Sequence, residues 1–156
     1  MKTIPPSNAF SLAERTAAEW ACVKLVYEFG RLVDARDFEA LVQLFDEDAE
    51  FNRPSEPNKI IKGRRQLLEN FKARPTYVSA HLFSNVQVTA DSPKHATGHS
   101  YLIMYTAGPN NIGPLGVPTA NAEARIGTFT EEFIHSDGRW LFRKRVGCML
   151  MATGAT

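Results

Sequence analysis

The sequence predicts an α+β domain in which helices gather on one face of a curved, mainly antiparallel sheet. Helical spacing of apolar residues occupies the chain up to Lys72, and the alternation typical of strands begins near Tyr77. A group of helices followed by a run of strands is characteristic of this class. The chain has 156 residues, 44% of them hydrophobic, so we expect one core and a single domain over residues 1–156. Residues 1–10 should form an N-terminal arm and residues 150–156 a C-terminal tail.

The first helix has a defined start and faces of different character. Ser11 and Glu14 fit a capping box, in which the serine accepts from the third helical amide and the glutamate reaches back. Apolar residues then recur at spacings of three and four over residues 18–32, which predicts a packed face. Beside that face runs a second file of residues that ends in a carboxylate: Trp20, Val23, Tyr27 and Asp34. We therefore expect this helix to pack on the sheet and to line a cavity.

Two further helices are predicted before the sheet. Asp37 is placed to cap a helix over residues 38–45, and residues 50–52 then have the character of a short strand. Residues 63–72 form the third helix. It ends before Pro75 because a proline ring disfavours helical backbone in the preceding residue.

Strands dominate the second half of the chain. The pair Asp137 and Gly138 is a strong hairpin signal. Residues 108–120 are rich in glycine and proline, which predicts a long loop, either a lid or a subunit contact. The expected strands are residues 77–89, 95–106, 122–135 and 139–149.

Charge and hydropathy exclude several classes of partner. The 18 basic and 17 acidic residues nearly cancel, so no general field draws the chain to nucleic acid or to anionic lipid. No stretch of about 18 apolar residues occurs, so we expect no membrane association and a cytoplasmic location. A basic run at residues 143–145 is expected at a solvated edge, and Arg125 is expected to pair with Glu131 across strands.

Cysteine and histidine spacing gives no metal or disulfide pattern. Cys22 and Cys148 lie far apart with no CxxC motif, and Cys22 is expected to act as a small buried hydrophobe. His95, His99 and His135 lack the spacing of metal ligands, so we predict no metal site.

Polar and apolar residues mix on one face of the first long strand. Alternation places His81 with Phe83 and Asn85, which indicates a pocket with polar groups in it. Taken singly, His81 could be a structural histidine bound to a backbone carbonyl, and Asp34 an exposed carboxylate at a helix end. If one cavity holds both, each supplies the partner that the other requires. Candidate pocket residues, which could equally be core, are Trp20, Tyr27, Phe29, Phe83, Asn85 and Met149.

Five segments carry a resemblance to a known family. They are residues 27–29, 33–34, 44–49, 80–85 (Ala80-His81 with Asn85) and 136–140. Over nearly its whole length the chain resembles the SnoaL-like branch of the nuclear transport factor 2-like superfamily. Within that branch it is similar to scytalone dehydratase, to bile acid dehydratase and, in the strand from Trp140 to Met149, to hexachlorocyclohexane dehydrochlorinase.

The resemblance implies a fold and a site. The fold is a cone-shaped α+β barrel, with three N-terminal helices packed on a curved, mainly antiparallel sheet that encloses a pocket. Asp34 corresponds to the aspartate of the family's catalytic pair, His81 to its base, and Arg145 to an arginine that assists the departing anion. Phe29 stands where relatives carry lysine or tyrosine. It cannot donate a proton, which argues against dehydrochlorination itself.

The function predicted from these residues is that of a cofactor-independent lyase of the dehydratase or dehydrohalogenase type. A dyad of His81 and Asp34 would take a carbon-bound proton from a small apolar, cyclic or aromatic substrate. Two alternatives remain open: an isomerase that returns the proton, as ketosteroid isomerase does, and a non-catalytic module that binds a ligand or a protein. By resemblance we expect a homodimer or a homotrimer.

Overall fold

The computed structural model describes residues 10–154 and confirms the predicted α+β fold. The helices are α1 (Leu12–Ala35), α2 (Phe38–Val42) and α3 (Gly63–Lys72). The strands are β1 (Phe45–Asn52), β2 (Ile61–Lys62), β3 (Val78–Ser92), β4 (His95–Ile112), β5 (Pro118–Ala120), β6 (Arg125–Ser136) and β7 (Arg139–Ala152). Nearly all of the expected N-terminal arm, residues 1–9, lies outside the described residues, as do residues 155 and 156.

The strands form one open sheet in the order β2, β1, β7, β6, β4, β3, with β5 added to β4. The pairing of β1 with β7 is parallel, and the other pairings are antiparallel. Helix α1 packs on β3, β4 and β7. None of the helices in the described part of the chain is long and apolar enough to cross a membrane.

The helix ends follow the predicted local signals. The Ser11 side chain accepts from the Glu14 amide at 3.2 Å, and the Glu14 carboxylate accepts from the Ser11 amide at 2.9 Å, so the capping box is confirmed. Asp37 accepts from the Ala40 amide at 3.1 Å and caps α2. This helix ends at Val42, earlier than expected, because the chain enters β1 at Phe45, whose side chain is fully buried.

The core is dominated by phenylalanine. The ring of Phe29, on α1, lies at its centre, with six other phenylalanine rings at centroid distances of 6.1–6.5 Å. Burying such a side chain stabilises a fold by about 1.5–3 kcal/mol relative to leaving it exposed. The rings around Phe29 come from α3 and from four of the strands: Phe45, Phe51, Phe71, Phe83, Phe129 and Phe142.

The segment 108–120 corrects the sequence prediction. It is largely a hairpin extension rather than a loop, because β4 continues to Ile112 and β5 folds back on it. Proline is tolerated there because the pairing is irregular between Ala107 and Ile112, and Pro118 is the first residue of an edge strand. Strand β7 likewise runs to Ala152, which pairs with Arg125, into the segment expected to be a tail.

The predicted hairpin at Asp137 and Gly138 is confirmed. Their φ angles are 51° and 77°, as the tight turn between two twisted strands requires. The turn sets the register of β6 and β7, in which Glu131 lies opposite Arg145.

Candidate active site

A close approach between α1 and β3 builds the site. A Cβ atom on Gly30 would lie 3.1 Å from the Phe83 ring and 3.3 Å from the backbone oxygen of His81. The bare backbone of glycine therefore lets the helix lie unusually near the strand. Asp34 is one helical turn beyond Gly30, so the same approach carries its carboxylate to β3.

The carboxylate of Asp34 is bound to β3 at three points. Its Oδ1 lies 2.5 Å from Nδ1 of His81 and accepts from the Ser79 hydroxyl at 2.7 Å. Its Oδ2 accepts from the backbone amide of His81 at 2.8 Å. The His81 side chain is 5% exposed and that of Asp34 26%, so the aspartate is half-buried rather than buried. The structure thus brings together two residues that are 47 positions apart in the sequence.

The electrostatics of the pair favour an ionised aspartate. Burial by itself raises the pKa of Asp34, but hydrogen bonds from the His81 side chain and amide, the charge of His81 and the Ser79 hydroxyl outweigh it and lower that pKa. An ionised carboxylate on Nδ1 holds the proton of the imidazole there. The remaining ring nitrogen, Nε2, is then the one able to accept a proton.

His81 lines a pocket between α1, the start of the β1–β2 connection and the sheet. The pocket is small, with a cavity volume of about 50 Å³. The pocket therefore suits a small or flat molecule. Its lining is mostly apolar: Phe29, Val33, Phe51, Pro54, Leu102, Met104, Gly127, Phe129 and Met149, together with Arg53, Ser55, Arg74, His81 and Arg125.

The structure places the expected pocket residues differently. Phe29 and Met149 line the pocket with His81. Phe83 lies behind this wall, against Gly30, with its ring centroid 6.1 Å from that of Phe29. Asn85 is exposed, at a break in the pairing of β3 with β4, and has a positive φ of 49°. The irregularity turns it out of the alternation that we used to place it.

The aromatic file on α1 also lies outside the pocket. Trp20 is 58% exposed and Tyr27 48% exposed, and Tyr27 lines a shallow surface groove with Trp140. The buried face of α1 instead contains Cys22, Val26 and Phe29, together with Ala18, Gly30, Leu32 and Val33. Trp20 and Tyr27 belong to a file rotated away from this face, so their expected pocket role is corrected.

Arg145 is fully buried, and it does not line the pocket. Its guanidinium carbon lies 4.2 and 4.3 Å from the ring centroids of Phe29 and Phe129, and 4.7–4.9 Å from those of Phe142 and Phe83. None of its side-chain nitrogens forms a hydrogen bond within residues 10–154. Burial lowers its pKa to about 10. Two rings of the pocket wall, those of Phe29 and Phe129, therefore lie between this cation and the pocket.

The partner of Arg145 is Glu131, not the partner that we predicted. Glu131 and Arg125 lie on the same strand, so they cannot pair across strands. Instead, Oε1 of Glu131 lies 3.6 Å from Nη2 of Arg145 and accepts from the Ser100 hydroxyl at 2.8 Å. Burial raises the pKa of Glu131 despite both neighbours. The basic run therefore has one buried member, where a solvated edge was expected.

Most of the lining residues were not predicted from the sequence, and two arginines among them matter for the chemistry of the pocket. Arg53 follows β1 and Arg74 follows α3, each beside a proline, and both line the pocket. Their only sequence signal is a lone arginine before a proline, at the end of a secondary-structure element. Such a residue can be recognised as part of a site only when the fold brings the two element ends together.

The cysteines show no functional geometry. Cys22 is fully buried, which confirms the expected small hydrophobe, and burial followed by the charge of Glu19 raises its pKa to about 12. Cys148 is exposed, and both thiols are free. Residues 10–154 contain no group of three or more histidine, cysteine, aspartate or glutamate side chains arranged to hold a metal ion.

Comparison with known proteins identifies relatives. Residues 14–146 match the family model of the SnoaL-like domain. No curated protein sequence matches the chain. The structure is similar to that of a type 2 hexachlorocyclohexane dehydrochlorinase, LinA, with 22% identity, 94% of each chain covered and a TM-score of 0.76.

Two solved structures from Novosphingobium aromaticivorans are also similar. A scytalone dehydratase-like protein has 20% identity, with 88% of this chain and 87% of that chain covered, and a TM-score of 0.70. An NTF2-like protein with a cystatin-like fold has 19% identity, coverages of 94% and 92%, and a TM-score of 0.71. At these identities the similarity establishes a common fold.

Proposed function

Because the chain belongs to the SnoaL-like family, we propose that it is a cofactor-independent lyase that removes a carbon-bound proton from a small cyclic or aromatic substrate. The observation that carries the proposal is the imidazole of His81, held at Nδ1 by Asp34 and lining a mostly apolar pocket. Dehydratase and dehydrochlorinase relatives with this fold support the reaction class.

The reaction assigns one step to each member of the pair. Nε2 of His81 takes the proton, the electrons of the C–H bond form a carbon–carbon double bond, and the leaving group departs with its bonding electrons. Asp34 stabilises the imidazolium that results. The imidazolium then gives its proton to a departing hydroxide, or to water when the leaving group is a halide. A positioned base of this kind contributes about a hundred- to ten-thousand-fold in rate.

The test compares the site pair with a matched surface pair. His81→Ala and Asp34→Asn should each reduce turnover at least about a hundredfold on cyclic β-hydroxy ketones or halogenated rings, followed by product formation. His95 and Asp91 form a similar pair at 2.7 Å, but both side chains are exposed and neither lines the pocket that contains His81. His95→Ala should therefore leave turnover unchanged. Full activity in both site variants would exclude the dyad as the base.

A second readout separates elimination from isomerisation. In deuterated water a lyase forms the alkene and releases the leaving group. An isomerase instead returns a proton to the substrate. Its product therefore keeps every group of the substrate and carries deuterium where the abstracted proton has exchanged with solvent. Mass spectrometry of the product distinguishes the two. Exchange without loss of a group would replace the lyase by an isomerase that uses the same residues.

We also propose that the protein associates with copies of itself. The face of the sheet opposite α1 carries exposed apolar side chains on β3, β4 and β7, among them Leu82, Tyr101, Tyr105 and Val146. Exposed apolar side chains on a sheet face are a frequent feature of protein interfaces. They support a homodimer or a homotrimer.

A further inference from the structure

We propose that the substrate carries a carboxylate, and that Arg53 and Arg74 bind it while the ring of the substrate rests on the apolar wall. This inference rests on the proposed function, because it names the substrate class of the same pocket. It departs from the expectation of a purely apolar ligand. The reason is the charge of the lining residues, among which are three arginines and His81 but no aspartate or glutamate.

Arg74 is the least compensated of these cations. It is half-buried, and its guanidinium carbon lies 5.0 Å from the centroid of the Phe71 ring. Within residues 10–154 its side chain forms no hydrogen bond or salt bridge; only its backbone oxygen accepts, from Arg36. Burial, opposed by Tyr77, lowers its pKa to about 10, so it stays charged at neutral pH. The carboxylate of Asp34 acts on Arg74 through its charge but forms no salt bridge with it. A partly desolvated cation without a directly bound counterion favours the binding of an anion.

Arg53 presents a fixed donor beside it. Nη2 donates to the side-chain oxygen of Asn70 at 2.5 Å and to its backbone oxygen at 3.0 Å, and Nη1 donates to Glu56 at 3.3 Å. These bonds hold the guanidinium in one orientation. Its Nε is buried and has no hydrogen-bond partner in the described chain. The side chain of Arg53 therefore has a donor that none of its present partners uses.

Both guanidinium groups lie near the same ring, that of Phe71, with their carbons 6.0 Å (Arg53) and 5.0 Å (Arg74) from its centroid. The third arginine, Arg125, is about half exposed, and its Nε donates to Glu123 at 2.7 Å. Arg53 also pairs with a carboxylate, that of Glu56, but its side chain is only 19% exposed. The anion site is therefore assigned to Arg53 and Arg74. Planar guanidinium groups match the geometry of a carboxylate.

A carboxylate at this place also serves the reaction. Negative charge develops on the substrate carbon when His81 removes a proton next to a carboxylate, and a full second charge beside it would oppose that development. Two arginines neutralise the carboxylate and so reduce the repulsion. The proton still goes to Nε2, and the leaving group still departs with its bonding electrons, so no co-reactant is needed.

Binding measurements test the inference without requiring turnover. Benzoate and methyl benzoate share a ring but differ in charge, and their affinities can be measured by NMR titration. We expect wild-type protein to bind benzoate at least about tenfold more tightly than the ester. This affinity ratio is within what one charge-assisted hydrogen bond can contribute. Arg74→Met should reduce this preference to less than about threefold. Arg65→Met, on the exposed face of α3, is the matched control and should retain it.

Further variants make every outcome informative. Arg53→Met should also reduce the preference, and Arg74→Lys, which keeps the charge without the planar geometry, should keep part of it if Arg74→Met does not fold. Equal affinity for acid and ester, no binding of either, or an unchanged preference in folded Arg74→Met would overturn the inference. His81→Ala should retain the preference. If the dyad proposal fails in the turnover test, this binding result still stands or falls on its own.

Discussion

Arg145 shows how a charged residue can be close to a pocket and still be closed off from it. Its guanidinium lies between four phenylalanine rings and has one carboxylate partner, Glu131, at 3.6 Å. Favourable contacts with ring faces compensate part of its lost hydration. The resemblance implied that this arginine assists a departing anion. In this structure it is fully buried against the rings of Phe29 and Phe129 and does not line the pocket.

We expect the two members of this buried pair to respond unequally to mutation. Glu131→Gln leaves a guanidinium charge buried without a counterion, which should reduce the free energy of unfolding by about 3–5 kcal/mol. Arg145→Met should cost less, because the raised pKa of Glu131 lets that carboxyl group take up a proton. The double variant should be more stable than Glu131→Gln alone. Urea unfolding at neutral pH measures all three, and additive losses would contradict an interaction between them.

At the level of secondary structure, the distance between α1 and β3 decides whether the dyad forms. Gly30 sits where the helix crosses the strand, and a Cβ atom there would lie within 3.1–3.3 Å of the Phe83 ring and of the backbone oxygen of His81. The three hydrogen bonds of Asp34 to β3 then fix the helix in this position. The site therefore depends on a missing side chain as well as on those present.

Gly30→Val should separate the two elements. Its side chain has no room beside Phe83, and overpacking of this kind costs about 1–3 kcal/mol. The shift should also lengthen the contact between His81 and Asp34 and lower turnover. Urea unfolding gives the stability, and the nitrogen chemical shifts of His81 report the hydrogen bond. Ala17→Val, on the exposed face of the same helix, controls for the helix propensity of valine. Similar effects in both variants would refute the packing argument.

On the scale of the whole molecule, the helix caps and the hairpin turn were predicted correctly, whereas the placement of several side chains in the tertiary structure was not. The capping box at Ser11, the cap at Asp37 and the turn at Asp137 each depend on neighbouring residues, so the sequence contains all that determines them. The exposure of Trp20 and Tyr27 depends on which of two adjacent files of α1 packs on the sheet. Both files are apolar enough to pack there, so the sequence does not decide between them.

The site divides in the same way. The contact between Asp34 and His81 was predicted from the mixed polar and apolar face of β3 and from the family resemblance. Residues 47 positions apart leave no local pattern in the sequence that would reveal their contact. Arg53 and Arg74 could not be predicted from the sequence, because each is an isolated cation before a proline at the end of an element. Only the closure of α3 over the end of β1 makes them two sides of one pocket.

The last prediction concerns assembly. Leu82 on β3 is 54% exposed and Val146 on β7 is 36% exposed, and both point away from the face that α1 covers. If copies of the chain pack through this face, a charge at each position would bury unpaired in the interface and weaken it. We expect sedimentation velocity to give a dimer or a trimer for the wild type and a monomer for Leu82→Glu combined with Val146→Glu, in which the two like charges cannot pair with each other. Glu28→Lys with Arg31→Glu, on the outer face of α1, changes as many residues without touching the sheet and should leave the assembly intact.

A wild-type monomer at tens of micromolar, or an unchanged oligomer in the sheet variant, would show that this apolar face does not mediate self-association. The sheet variant should keep its circular dichroism spectrum, because both side chains are directed away from the phenylalanine core.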